Sequence, residues 1–259
     1  MKPAALTIAG SDPSGGAGLQ ADLKTFHQFG VYGESVITLL TVQNTQRVSR
    51  VECQPPDLVL EQLRAVLEDI PPLAAKTGAL GNRAIVEAVA GAAAAFTFPL
   101  VVDPVMISKH GASLISDDAA LLLRTRLLPH ARLVTPNLPE AAALTGIAIH
   151  SPADARRAAQ SLLAMGARAA LIKGGHSAGD ATDYLLDGEA WLELPAPRID
   201  TRHTHGTGCT YSAAITACLA LGMPLPAAVT RAKAFIMEAI ATNPGLGHGS
   251  GPVNHHARI

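Results

Sequence analysis

Along this chain, short apolar runs rich in β-branched side chains alternate with longer stretches in which apolar residues return every three or four positions. The short runs read as buried strands and the long ones as amphipathic helices. The pattern predicts strands over 4–9, 35–42, 73–76, 100–103, 132–135 and 169–173. It predicts helices over 17–29, 56–70, 82–95, 117–127, 139–144, 152–165, 210–221 and 226–241, the first stopped by Gly30. The runs 184–186 and 191–194 flank Asp187-Gly188 and read as a hairpin at a sheet edge. Strand–loop–helix repetition of this kind argues for a mostly parallel sheet with helices on both faces. No linker, internal repeat or low-complexity arm interrupts it, so residues 1–259 are expected to form one α/β domain.

The polar residues that break the apolar pattern fall just after predicted strands: Asp12, Gln43, Asn44, Asp103, Asn137, Glu140 and Lys173. Open α/β sheets bind ligands outside the carboxyl ends of their strands. These side chains are therefore expected to converge on one rim.

Composition removes several classes of function. Hydrophobic residues make up 48% of the 259 and charged residues 16%, enough apolar surface to fold. A formal net charge of -1 gives no field toward nucleic acid or an anionic membrane, and 3% aromatics leave few platforms for stacked bases. No stretch is apolar for long enough to span a bilayer, and the opening MKPAALTIAGSD is too short in apolar residues for a secretory signal. The three cysteines, Cys53, Cys209 and Cys218, are odd in number and include no CxxC pair, which points to a reducing, cytoplasmic setting.

Three motifs carry candidate chemistry. In Thr204-His205-Gly206-Thr207-Gly208-Cys209-Thr210, two glycines lead into a helical pattern whose first amides can meet an anion. An ordinary glycine turn before a core helix fits the spacing equally well. Cys209 stands where a helix dipole lowers a thiol pKa, although a small buried hydrophobe is the commoner fate of a free cysteine. Gly10-Ser11-Asp12-Pro13-Ser14-Gly15-Gly16-Ala17-Gly18 joins a strand to a helix without the G-x-G-x-x-G spacing of a dinucleotide site. Asp12 and Asp22 there serve either a substrate or, respectively, a turn and a solvated helix face. Asp103, Glu140 and Lys173 can together gather Mg²⁺ and a phosphate, since Mg²⁺ needs only one or two carboxylates. Taken singly, each is ordinary turn, helix-start or surface chemistry. His203, His205, His248, His255 and His256 lack metal-ligand spacing and read as polar loop residues.

Eight blocks taken together, ALTIAGSDPSGGAGLQADLKTF, VYGESVITLLTVQNTQ, AKTGALG, VVDPVM, LVTPNLPEAAALTG, ALIKGGH, THGTGCTYSAAI and GHGSGPVNHH, resemble the ribokinase-like superfamily. Within it they resemble the hydroxymethylpyrimidine/phosphomethylpyrimidine kinases of thiamine biosynthesis. The resemblance covers nearly the whole chain in order. It implies a three-layer α/β/α fold and ATP-dependent phosphorylation of the pyrimidine alcohol and then of its monophosphate. Gly206, Thr207, Gly208 and Cys209 would form the anion hole, with Cys209 facing the substrate hydroxyl as acceptor of its proton. Gln43, Gly10, Asp22, Val105 and Ala79 would surround the pyrimidine. Asn137, Lys173, Gly175 and Thr207 would meet ATP, and Asp103 and Glu140 would serve Mg²⁺. Ala79 departs from the Met that several relatives place over the ring. The expected partners are the pyrimidine, ATP and a second copy of the chain in a homodimer. Two rivals remain: a pyridoxal kinase of the same superfamily, whose members tend to lack the VQNT pattern, and a pyrimidine-binding protein without turnover.

Overall fold

The computed structural model describes residues 2–106, 115–175 and 179–258; His176 of the KGGH block lies outside them. Nine strands form one sheet in the order β3-β2-β1-β4-β5-β6-β7-β8-β9. The strands are β1 Ala4–Ser11, β2 Tyr32–Gln43, β3 Val48–Cys53, β4 Ala74–Thr77, β5 Leu100–Val102, β6 Leu133–Val134, β7 Ala169–Ile172, β8 Asp183–Asp187 and β9 Ala190–Leu194. From β2 through β7 every neighbouring pair is parallel; β3, β8 and β9 are antiparallel edge strands. The hairpin forms at the expected edge. β3 escaped the pattern because VSRVEC puts charge and partial exposure where a core strand would show an apolar run.

Among the described residues, eight α-helices cover the sheet: α1 Gly18–Gln28, α2 Pro56–Asp69, α3 Arg83–Ala93, α4 Asp117–Leu122, α5 Leu138–Thr145, α6 Pro152–Ala164, α7 Thr207–Ala220 and α8 Leu225–Ala241. A π-helical turn at Leu123–Leu127 prolongs α4. Helices α2 to α6 bury one face, around Leu6, Ile8, Val86, Val102 and Leu162. On the other, α7 and α8 pack over Val101, Leu133 and Leu171, and α1 and α7 close over Ala5 and Ala74. Strands buried on both faces need near-continuous apolar sequence, as these have.

Two features of this scaffold set the site. The chain leaves β1 to β2 on one side and then crosses to β4 on the other, so strand order reverses between β1 and β4. A crevice opens at the carboxyl ends at such a switch point. In addition, α7 begins at Thr207, three residues earlier than the sequence pattern suggests, with Gly206 as its left-handed N-cap (φ 76°). The GTGC motif is thus the first turn of a long buried helix aimed at that crevice.

Candidate active site

The two glycine loops lock against each other. A Cβ on Gly206 would collide with the Gly16 carbonyl, in addition to being strained at positive φ. A Cβ on Gly16 would lie 2.6 Å from the His205 ring. The start of α7 has no side-chain cap, and a Cβ on Gly208 would sit 3.3 Å from Lys173 Nζ and 3.9 Å from Asp103 Oδ2. The helix start therefore opens toward a charged cluster.

That cluster is built from three strand ends and α7. Lys173 Nζ donates to Asp103 Oδ1 at 3.0 Å. Thr135 Oγ1 donates to the same oxygen at 3.2 Å. Ser212 Oγ, one turn into α7, donates to Asp103 Oδ2 at 3.1 Å. Burial pushes the Asp103 carboxyl up, but the Lys173 and Lys76 ammoniums outweigh it and hold Asp103 below the usual carboxylate range. Glu140 goes the other way: burial, opposed by Lys173 and reinforced by Asp103, raises it to about 7. Asn137 and Glu140 form a capping box at the start of α5, with Glu140 N donating to Asn137 Oδ1 at 2.9 Å and Asn137 N to Glu140 Oε2 at 2.8 Å. Asp103 and Glu140 offer hard carboxyl oxygens of the kind Mg²⁺ takes, and a cation between them would favour the ionised form of Glu140. Gly175 lies exposed beyond Lys173, its carbonyl accepting from Arg198.

A second buried pair lies below Cys209. Asp22 and Lys76 are both fully buried and meet at 2.7 Å; Thr7, in register with Lys76 across β1 and β4, donates to the other Asp22 oxygen at 2.6 Å. Asp22 is neither a solvated helix face nor open to a ligand here: both oxygens are held from within. Burial pulls the Lys76 ammonium down, but Asp22, Cys209 and Asp103 together keep it above its ordinary value. Of the two readings of Cys209, its surroundings favour the buried small side chain over the helix-activated thiolate. Burial pushes its thiol up to about 12, against the pull of Lys76 and a hydrogen bond from Gly18.

The third system reaches Gln43. Asp12 serves its own loop, accepting from the amides of Ser14, Gly16 and Ala17 at 2.9, 3.2 and 2.9 Å. It also pairs with His205 Nε2 at 2.8 Å, and that nitrogen lies 3.1 Å from the Gln43 amide. His205 is thus a buried part of the rim, not a solvated loop histidine. Leu39 fills the space of a Gly10 side chain, Thr38 donates to the Ala79 carbonyl at 2.6 Å, and the amide of half-buried Val105 donates to the Asp103 carbonyl at 2.9 Å.

Sequence reading missed Lys76, Thr135 and Ser212. A single lysine inside the apolar run of β4 was the available signal, because such a charge is buried only with a partner.

Residues 12–254 match the family described as Phosphomethylpyrimidine kinase. The chain belongs to this family. It is 51% identical to a hydroxymethylpyrimidine/phosphomethylpyrimidine kinase from Streptomyces coelicolor over 98% of this chain and 94% of the relative. The phosphomethylpyrimidine kinase structure from Clostridium difficile 630 is 44% identical and superposes with a TM-score of 0.83 over 92% of this chain and 100% of that one. An ADP complex of Bacillus subtilis pyridoxal kinase is 39% identical, with a TM-score of 0.91 over 99% and 98%. The scaffold is thus shared with structures of both a phosphomethylpyrimidine kinase and a pyridoxal kinase.

Proposed function

We propose that this chain transfers the γ-phosphoryl group of ATP to the hydroxymethyl group of 4-amino-5-hydroxymethyl-2-methylpyrimidine, and then a second phosphoryl group to the monophosphate, as a step toward thiamine. The observation that carries the reading is the meeting at the start of α7 of the Asp103–Lys173 cluster, with Lys173 Nζ 3.3 Å from where a Cβ on Gly208 would stand, and the Gln43–His205–Asp12 system, whose His205 immediately precedes the same turn.

Phosphoryl transfer depends on alignment and charge stabilisation more than on covalent help. Thr207 N turns back to Thr204 O at 3.3 Å, so the amides of Gly208 and Cys209 are the donors for the transferring group. Lys173 adds a fixed positive charge to a phosphate oxygen, and Asn137, Gly175 and Thr207 border the nucleotide. Asp103 and Glu140 would hold Mg²⁺, which when bound neutralises phosphate charge. Gln43 reads the pyrimidine, with Gly10, Ala79 and Val105 around the ring. Asp22 acts at one remove, by holding Lys76 beneath Cys209. Cys209 contributes as a neutral thiol. In the second step the substrate's own phosphate is the nucleophile and has no proton to lose.

The Gln43 amide favours the pyrimidine over pyridoxal, because it offers a donor and an acceptor to an amine next to a ring nitrogen. The intact charge cluster favours turnover over simple binding. A homodimer belongs to the same reading: Leu40 and Val42 on β2 are 45% and 56% exposed and offer a second copy an apolar surface. So does a reducing cytoplasm, which suits three free cysteines. No helix among the described residues is long and apolar enough to cross a membrane. The deciding experiment incubates the protein with Mg-ATP and either hydroxymethylpyrimidine or pyridoxal and identifies products by mass. Pyrimidine mono- and diphosphates support the proposal; pyridoxal phosphate as the sole product, or no ATP use, overturns it.

A further inference from the structure

We infer that His205 is a positioning residue that fixes which end of the Gln43 amide meets the substrate, an inference that rests on the pyrimidine reading above. The His205 ring is 3% exposed. Its Nε2 lies 2.8 Å from Asp12 Oδ2 and 3.1 Å from the Gln43 amide nitrogen. Asp12 already accepts from three backbone amides and the Ser14 hydroxyl. Burial alone would push its carboxyl up, but the bonds from His205 and Ser14 outweigh that and keep it below the usual range. An ionised carboxylate only accepts, so the bond at 2.8 Å requires a proton on His205 Nε2.

That proton decides the amide. A protonated Nε2 has no lone pair in the ring plane for an amide N–H. The two ends of a primary amide exchange by a half-turn about Cγ–Cδ at almost no change in shape. The single Nε2–H is directed at Asp12 Oδ2. An amide oxygen beside it can share that hydrogen as a second acceptor, whereas an amide N–H finds no acceptor there. Gln43 is thus held with Oε1 toward His205 and its NH₂ turned away. The NH₂ then faces the crevice as a donor, and Oε1 keeps a second lone pair. This pair of groups complements a ring nitrogen flanked by an exocyclic amine. The reversed amide sets N–H against N–H.

A backbone strap holds the two residues at a fixed separation. The segment GHGSGPV was conspicuous in the sequence, yet none of its side chains enters the chemistry above. Ser250 N donates to Thr45 O at 2.8 Å, and His205 N donates to Gly251 O at 3.0 Å. Gly249 N donates to Thr45 Oγ1 at 3.3 Å. A Cβ on Gly247 or Gly249 would collide with Thr45. The strap thus grips the turn just beyond Gln43 and the backbone of His205 together.

The test is a double-mutant cycle with His205→Phe and Gln43→Ala, read as separate KM values for hydroxymethylpyrimidine and ATP. His205→Phe should raise the pyrimidine KM about tenfold and the ATP KM less than about twofold. In the Gln43→Ala background it should add less than about twofold, because the residue it orients is gone. Additive losses, or equal rises in both KM values, overturn the inference. Nitrogen-15 NMR of the imidazole in the unmutated protein, with the signal assigned by its loss in a folded His205→Gln variant, answers independently of activity. A proton on Nε2 is expected, and a bare Nε2 overturns the inference. If the unmutated protein leaves the pyrimidine unphosphorylated, the functional proposal falls while the NMR result still judges the His205 arrangement.

Discussion

The two ends of the rim are built on different principles. At the phosphate end, Asp103, Lys173, Thr135 and Ser212 come from β5, β7, β6 and α7 and form a buried charged network around one carboxylate. At the ring end, Gln43 stands on the outer β2–β3 flap and is held by a neutral amide contact, a histidine and glycine clearance. Buried charge does not tolerate the loss of a partner, whereas a hydrogen-bonded amide can change its partner. On the proposed reading, the difference separates chemistry from selection: one end would serve any phosphoryl acceptor, and the other would choose the acceptor.

The largest effect is therefore expected at Lys173. Lys173→Ala removes both a phosphate partner and the counter-charge of Asp103. We expect kcat to fall roughly a hundred- to a thousandfold with every acceptor alike. Steady-state kinetics with hydroxymethylpyrimidine and its monophosphate checks this. A loss confined to one acceptor would break the proposed division.

Gln43→Leu should behave in the opposite way. Pyrimidine use should fall roughly ten- to a hundredfold while the KM for ATP stays nearly constant, because the ring loses one or two hydrogen bonds of about 1–3 kcal/mol each. Competition between hydroxymethylpyrimidine and pyridoxal gives the cleanest reading. Unchanged selectivity in a folded variant would move recognition away from Gln43.

The two ends also differed in how legible they were. At the phosphate end Asp103 and Lys173 stood out in the sequence because each follows an apolar strand and interrupts a strict pattern, while Thr135 did not. The fold was legible for the same reason: six parallel strands and their helices were each marked by period and punctuation. β3 was hidden because an edge strand with one half-exposed face has little apolar signal. His205, Lys76 and Ser212 stayed hidden because their roles depend on partners far along the chain, His205 with Asp12, Lys76 with Asp22 and Ser212 with Asp103. Between the two readings of Cys209 the sequence could not decide, because position on a helix says nothing of desolvation, and here desolvation is the larger influence.

That outcome makes Cys209 an intermediate case between the two ends. With its thiol pushed up to about 12, almost no thiolate exists at neutral pH. Cys209→Ala is expected to slow the alcohol and monophosphate steps by similar factors of about ten or less, well below the roughly 10²–10⁴-fold typical of a lost general base. The pH–rate profile should show no thiol limb between pH 6 and 10. A loss concentrated in the alcohol step, the only one with a hydroxyl proton to remove, would restore Cys209 as a base.

The smallest expected effect lies at the far end of β2, where a buried carboxylate lacks the compensation found at the rim. Glu34 is 8% exposed, its Oε2 has no hydrogen-bond partner among the described residues, and burial raises it to about 7 from 4.5. It faces a cleft lined by Tyr32, Ala65, Asp69 and Ile70, remote from the carboxyl ends of the strands. An acid with a raised folded pKa binds more protons folded than unfolded across the window from about 4.5 to about 7. Stability must therefore fall as pH rises through that window and level off above it. Glu34→Gln removes the ionisation. The variant should match the parent near pH 4.5 and be more stable near pH 8 by about 1 kcal/mol, less than the full shift because the cleft admits water. Urea unfolding at the two pH values measures the difference. An equal change at both would mean that Glu34 is held by packing alone. A gain only at high pH would show that this protein leaves a buried charge uncompensated where it has no phosphate to meet.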